Sequence, residues 1–362
     1  MAERAEQTRP TSASAGTHDA GHPSLDNSAG LPSARRILDM AAGYEPALIL
    51  EAAVRLTVFD ALAAQPLTLA DAAAATGTSL RGLRALLNAL VGLDLLAKQG
   101  DRYALTPETS AYLVSTSPTY QGYMCKHVSR HLMPRWLRLT EAVRTGQPDR
   151  AVNEQADGGA YFREFVEDIF PMSYEAAQAL AVELKVAEAS GPVRVLDLAA
   201  GSGVWGVALA KASKNVTVTA VDWPAVLPVT RKVAERHGVA DRFAFVPGDV
   251  ASADFGAGHG VATLGHIVHS EGEERSRRLL AKVYDALAPG GTIVIAEFLP
   301  DDDRTGPPGA LIFAVTMLVN TEAGDTYTYR EMHDWLREAG FDKVRLFDPP
   351  GPSPLILATK PG

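Results

Sequence analysis

The stretch that most constrains this chain is Val193–Leu209, VRVLDLAAGSGVWGVAL. Small and β-branched residues run into an acid, a glycine-rich turn follows, and then a helix-forming segment. Strand, tight loop and helix N-terminus are the parts from which α/β proteins build a nucleotide site. Gly201 and Gly203 fall where the backbone must turn sharply and approach a ligand closely, which a Cβ would obstruct. Gly201-Ser-Gly203-Val-Trp-Gly206 also fits G-x-G-x-x-G, a pattern whose variants serve NAD, FAD and S-adenosylmethionine alike. Asp197, four residues before the first glycine, separates these options. A carboxylate there repels a pyrophosphate and attracts the ammonium of a methionine-type cofactor. The expected cofactor is therefore S-adenosyl-L-methionine, with a dinucleotide, or a glycine turn without a ligand, as the alternatives.

The segments that follow alternate between strand and helix. Strands are predicted at 193–198, 216–221, 243–246, 261–268 and 292–297, with short closing strands at 344–347 and 355–358. Helices are predicted from Pro224, over 272–287 with Leu279, Leu280, Val283 and Leu287 on one face, and over 329–339. This alternation predicts an α/β fold with a doubly wound, mostly parallel, seven-stranded Rossmann-like sheet whose strand C-termini meet at one crevice. Asp197, Asp222, Asp249, His269 and Glu297 all fall at, or just after, successive predicted strand ends. Asp222 stands 25 positions after Asp197, where a carboxylate accepts both hydroxyls of a ribose. Asp249 can accept from an adenine amino group while Val250 packs on the ring. The alternatives are a helix N-cap for Asp222 and a plain turn for Asp249.

Ahead of this half, residues 1–33 are rich in Ala, Ser, Thr, Gly and Pro and bury too little to order themselves, so a disordered tail is expected. From Ala34 to Leu62 the pattern is helical, with Leu50, Val54, Val58 and Leu62 at spacing four, widened by Leu56 and Phe59. Thr68 and Asp71 start a short helix that Gly77 ends, Ser79 caps a second, and a hairpin turns at Gly100-Asp101. Helix, turn, helix and hairpin make a winged helix over 34–115. Arg81, Arg84, Lys98 and Arg102 form a weak basic face for a DNA reader, so packing against a partner chain is the expected use. Residues 116–190 read as a helical linker and substrate-pocket region. Most of its large side chains are core; Phe165 and Met172, with Met317 further along, are the candidate acceptor-binding residues. Residues 191–362 form the cofactor-binding domain.

A net charge of −9 argues against nucleic acid or an anionic membrane as the main partner. No apolar run reaches spanning length, and no charged-then-apolar leader opens the chain. The single cysteine, Cys125, fits a reducing cytoplasm and excludes cysteine-based zinc clusters. His266 and His269 lack further ligands nearby, so no metal is expected.

Taken with VLDLAAGSG, AVDWP, PGDV, HIVHSEGEE and LAPGGTIVIAE, the chain resembles the two-domain class I S-adenosylmethionine-dependent O-methyltransferases, which include caffeate and acetylserotonin methyltransferases and many bacterial natural-product enzymes. The resemblance covers about residues 35–360. It implies that Asp197, Gly201, Gly203, Asp222, Asp249 and Val250 hold the cofactor, that His269 is the catalytic base, and that Glu297 flanks it. It also implies a homodimer in which the helical part of one chain helps close the other's pocket. Three departures stand out. Ser270-Glu271 follow the base where the family usually has Asp-Trp, Thr326 occupies the place of a second flanking acid, and Ala199 and Ala200 replace frequent glycines.

The expected reaction is methyl transfer to a hydroxyl of a small aromatic or polyketide-like acceptor. A phenol-like hydroxyl, with a pKa of about 10, lies within reach of a histidine base. Glu297 would fix the imidazole's tautomer, as an aspartate does in serine hydrolases. Transfer to carbon, nitrogen or sulfur, a non-methylating use of the cofactor, and a ligand-sensing DNA-binding protein are the other readings.

Overall fold

The computed structural model describes residues 32–152, 159, 161–163, 165–167 and 169–362. The expected tail lies outside them except for its last two residues. The chain divides into two compact units at Glu45/Pro46. In the first, Arg35–Ala41 is a short helix with no buried residue.

The second unit begins with the winged helix. Leu67–Thr68 (β1), Leu96–Gln99 (β2) and Arg102–Leu105 (β3) form a small antiparallel sheet in the order β1-β3-β2. Thr68 and Ser79 cap the Leu69–Thr76 and Leu80–Gly92 helices through their side-chain oxygens, and Gly77 closes the first in the left-handed conformation. Val54, Val58, Phe59 and Leu62 pack on Leu83, Leu87 and Leu90, as the spacing-four pattern requires. Leu56 does not join them: it is 39% exposed, because Thr57 turns left-handed (φ 54°) and ends the Tyr44–Arg55 helix there.

The large sheet runs β6-β5-β4-β7-β8-β10-β9. Its strands are Val193–Leu198 (β4), Val216–Asp222 (β5), Phe243–Pro247 (β6), His259–Gly265 (β7), Leu287–Ala296 (β8), Asp342–Phe347 (β9) and Leu355–Thr359 (β10). Strands β4 to β8 are parallel, whereas β10 is antiparallel to both β8 and β9. Both faces are covered, so the central strands read as continuous apolar runs. Leu196, Ile293, Ile295 and Ile356 meet Leu279, Leu280, Val283 and Trp335 on one side. Val195, Val218, Val294 and Leu357 meet Leu180, Val207 and Leu209 on the other.

Several predicted boundaries move, and β8 begins at Leu287 rather than at 292. Pro224 lies in a turn, and the helix starts at Leu227 with Pro228 in its first turn. The fourth strand of the cofactor domain ends at Gly265 rather than Val268: His266 adopts φ 58°, which breaks the extended backbone, and the Val268–Ala286 helix begins directly after. His269 therefore stands in a helix's first turn. A further helix, Pro308–Asn320, lies outside the predicted elements.

Candidate active site

Because β4 to β8 are parallel, their C-terminal ends share one rim. Read along it, the residues are Asp249 after β6, Asp222 ending β5, Asp197 in β4, His269 after β7 and Glu297 after β8. Four strand spacings of about 4.8 Å give a row of roughly 19 Å. Chain order reverses beside β4, the switch point at which open α/β sheets bind ligands.

Around β4 the glycine turn is latched to its neighbours. Gly201 and Gly203 have φ of 55° and 74°, as expected for a turn that opens the Val204–Ala212 helix. Gly201 N–H donates to Asp222 Oδ2 at 2.7 Å, Trp223 N–H donates to Asp222 Oδ1 at 2.6 Å, and Thr230 Oγ1 donates to the Gly201 carbonyl at 2.7 Å. Asp197 is fully buried beneath the turn, not open on the rim. Its Oδ2 accepts from Gly206 N–H at 3.0 Å and its Oδ1 from Thr263 at 2.7 Å. A Cβ at Gly206 would lie 2.9 Å from Asp197 Oδ2 and 2.8 Å from Val218, so the third glycine serves this contact. Burial pushes the Asp197 carboxyl up to about 7, a rise the two hydrogen bonds oppose and nearby Asp222 reinforces. Burial likewise pushes Asp222 up to about 6. Two adjoining carboxylates whose ionisation is costly, under an open backbone turn, fit a cationic ligand.

At the other end of the row Glu297 grips His269 twice. Its Oε2 lies 2.7 Å from His269 Nδ1 and its Oε1 accepts the His269 main-chain N–H at 3.2 Å. Burial raises the Glu297 carboxyl, but His269 and His266 outweigh it and hold the group below its ordinary value. An ionised carboxylate only accepts, so Nδ1 carries a proton, and in the neutral ring Nε2 is the basic nitrogen. Asp325 N–H donates to the His269 carbonyl at 2.9 Å, fixing the far side of the same residue. The His266 ring lies tilted against Phe298, centroids 5.1 Å apart, and its Nε2 is 3.0 Å from Ser353 Oγ. Burial lowers its pKa to about 4, against the pull of Glu297 and with the push of His269, so this second imidazole stays neutral.

Aromatic side chains line the approach. Phe313 stands edge-on to His269 at 4.9 Å and packs on Phe298 at 4.5 Å. Phe313, Met317 and Asn320 follow one helical face, and Met317 and Asn320 are buried. Asn320 Oδ1 accepts from Arg135 at 2.9 Å, and Arg135 lies over the Tyr161 ring at 5.3 Å. Tyr161 Oη is 3.1 Å from His127 Nε2, and His127 stacks on Phe165 at 4.1 Å. Beside Phe165, Val166 lies 3.4 Å from the Cβ position of Gly201. From the helix that carries Phe313 and Met317, the contacts thus run through Asn320, Arg135, Tyr161, His127 and Phe165 towards the glycine turn. Met172 is not among them. It is 40% exposed, because the Phe170–Glu183 helix buries Ala176, Ala177 and Leu180 against the back of the sheet.

Val250 is buried in the core beside Asp249, whose Oδ1 accepts from Ala251 N–H at 2.8 Å and from Arg275 at 3.3 Å. Phe313, Asn320 and Arg275 stand beside these residues without having been singled out by the sequence, and His266, weighed there only as a metal ligand, packs beside His269. The apolar run of 308–320 and the Glu271–Arg275 spacing of four were legible signals for two of them. Among the described residues no cluster of His, Cys, Asp or Glu is arranged to hold a metal, and no helix is long and apolar enough to cross a membrane.

Comparison with known proteins places this geometry. Residues 136–342 match the model of the O-methyltransferase domain, and residues 34–115 match that of the O-methyltransferase dimerisation domain. The chain is 34% identical to 3-hydroxy-5-methyl-1-naphthoate 3-O-methyltransferase of Streptomyces sahachiroi, over 90% of this chain and 94% of that protein. It is 30% identical to the tetracenomycin polyketide synthesis 8-O-methyl transferase TcmO of Streptomyces glaucescens, over 90% and 96%. The crystal structure of human N-acetylserotonin methyltransferase in complex with SAM superposes with a TM-score of 0.80 at 27% identity, covering 93% of this chain and all of that one. With a catalytic-domain match and a dimerisation-domain match on one chain, and relatives aligned almost end to end, this protein belongs to the O-methyltransferase family.

Proposed function

We propose that this O-methyltransferase, whose cofactor is S-adenosylmethionine, methylates a phenolic hydroxyl of a fused-ring aromatic or polyketide-like small molecule with His269 as general base. The observation that carries the reading is the two-point hold of Glu297 on His269 beside an aromatic-lined approach. The two bacterial relatives, named for a hydroxynaphthoate and for a tetracenomycin polyketide, support the acceptor class.

When bound, the cofactor supplies a methyl group already activated on a sulfonium. The chain's residues align the acceptor, exclude water and take one proton. His269 receives that proton at Nε2, and buried Glu297 stabilises the imidazolium as it forms. Help of this kind is worth roughly 10²–10⁴-fold. Phe313 and Met317 hold the acceptor ring from the Pro308–Asn320 helix, with Phe165 on the opposite wall. For the cofactor, Gly201 and Gly203 provide the close backbone approach, Asp222 the ribose contact, and Asp249 with Val250 the adenine contact. Asp197 contributes charge from below and holds the turn in shape.

We read the winged helix as an association surface for a homodimer rather than as a DNA reader. Its two hairpin cations are engaged, Arg102 with the Pro66 carbonyl at 3.1 Å and Lys98 over the Tyr103 ring at 5.0 Å. A cytoplasmic enzyme fits its one cysteine, Cys125.

The test uses the purified protein, methyl-labelled cofactor and a panel of hydroxylated naphthoates and anthraquinones, with product analysis to locate the label. Label on oxygen, lost in His269→Ala while cofactor binding is retained, supports the proposal. Unchanged turnover in His269→Ala sinks the base assignment, and label on carbon, nitrogen or sulfur sinks the oxygen acceptor. Sedimentation at the dimer's mass checks the assembly.

A further inference from the structure

The Ser270-Glu271 pair, where the family usually has Asp-Trp, finds no use in the proton transfer just described. Glu271 is nevertheless buried, at 7% exposure, in the first turn of the Val268–Ala286 helix. A buried carboxylate is costly unless paired. Its partner is one turn ahead: Arg275 Nε donates to Glu271 Oε2 at 2.6 Å. Burial still leaves the Glu271 carboxyl above its ordinary value, so the pair is not justified by stability alone.

The same guanidinium reaches a second element. Arg275 Nη2 lies 3.3 Å from Asp249 Oδ1, in the turn after β6. The planar fork of arginine allows this double engagement, one nitrogen to each carboxylate. Ala251 N–H also donates to Oδ1, at 2.8 Å. Both contacts therefore fall on one oxygen of Asp249, and Oδ2 takes neither. A carboxylate held by one oxygen has a defined rotation about its side chain, and its other oxygen has a defined direction.

We infer that Glu271 and Arg275 form a positioning pair that orients Asp249 to accept from the six-amino group of the cofactor's adenine, making this pair a determinant of base recognition. The inference rests on the reading of Asp249 as the adenine contact. Glu271 sets the direction of Arg275, Arg275 fixes Oδ1, and Oδ2 faces the amino donor. A tryptophan at the Glu271 position supplies no charge for this relay, so the departure from the family's usual residue acquires a purpose.

Binding measured by calorimetry with two probes tests it: S-adenosylhomocysteine, which carries the amino donor, and S-inosylhomocysteine, which has a carbonyl in its place. In Glu271→Gln and Arg275→Ala, affinity for the adenosyl compound is expected to fall about tenfold, the worth of one charge-assisted hydrogen bond. Affinity for the inosyl compound should change less than about twofold, since that bond is absent from the start. Arg275→Lys, whose single ammonium cannot span both carboxylates, should show the same split and serves if the alanine variant does not fold. Equal weakening of both compounds, or no weakening of either, overturns the positioning role. Asp249→Ala is the control for the underlying reading: if it fails to discriminate between the two compounds, Asp249 does not read adenine, and the fault lies there rather than in the pair.

Discussion

Glu297 holds His269 at two points, ring Nδ1 at 2.7 Å and main-chain nitrogen at 3.2 Å, so one carboxylate sets both the tautomer and the seat of the imidazole. These two roles can be separated. Glu297→Gln keeps the shape and one acceptor oxygen, puts an amide donor in place of the other, and removes the charge that stabilises an imidazolium. It should lower kcat by about tenfold to a hundredfold. His269→Ala should lower kcat by roughly 10²–10⁴. Neither should change the dissociation constant of S-adenosylhomocysteine, and calorimetry beside steady-state kinetics checks both halves.

Asp222 and Asp197 predict a proton linkage. Burial holds them at about 6 and about 7, above the ordinary aspartate value. A cation arriving beside them favours their ionised forms, so binding of S-adenosylmethionine should release protons between about pH 5 and 7, and affinity should rise with pH across that window. Without cofactor the sign for stability is opposite: the folded state binds more protons than the unfolded one, so stability from these groups grows as pH falls from about 7 to 5. Calorimetry in buffers of different ionisation heat should show the release, reduced in Asp222→Asn and smaller for neutral S-adenosylhomocysteine. Equal proton counts for the two ligands would remove the sulfonium from this part of the site.

Gly324 lets a loop close on the base from behind. A Cβ there would stand 2.5 Å from the His269 carbonyl oxygen and would also collide with Thr321 Oγ1. Gly272 answers from the helix side, at φ 76° and with its Cβ position 2.8 Å from Ala323. Gly324→Ala must push the loop or His269 aside, and a displacement near 1 Å costs about 10²-fold in rate. The expected result is that loss in kcat, with the cofactor dissociation constant unchanged.

Phe313 should govern the acceptor and leave the cofactor alone. Removing its ring from beside His269 gives up roughly 1.5–3 kcal/mol of apolar contact. Phe313→Ala is expected to raise KM for the acceptor about tenfold or more and to leave KM for S-adenosylmethionine unchanged. A matched rise in both would place Phe313 in support of the fold rather than in the acceptor wall.

The sheet and the order of residues along its rim were legible because strands covered on both faces leave long apolar runs, and because parallel strands put their end residues in a row. Asp197 illustrates the limit. Its position at a strand end is local information, but its burial depends on Thr263, 66 residues away, and on how close Gly206 lets the next helix come. His266 shows another: a left-handed non-glycine residue carries no mark in the chain, so the apolar pattern runs on to Val268 although β7 ends at Gly265. Met172 looked like pocket material by size and type, yet the small residues behind it, Ala176 and Ala177, decided which way its helix faced. The helix 308–320, which carries Phe313, is apolar nearly all round, so its sequence has no polar face to mark its period.

The pairing of β10 between β8 and β9 has a consequence for how the enzyme comes into being. Glu297 leaves directly from β8, whose outer edge is covered only by residues 355–359. Strands β4 to β7 can pair without residues 355–359, but β8, which carries the acid at its end, keeps an open edge until they are in place. A substitution that unpairs residues 355–359 from β8 is therefore expected to weaken methyl transfer more than cofactor binding.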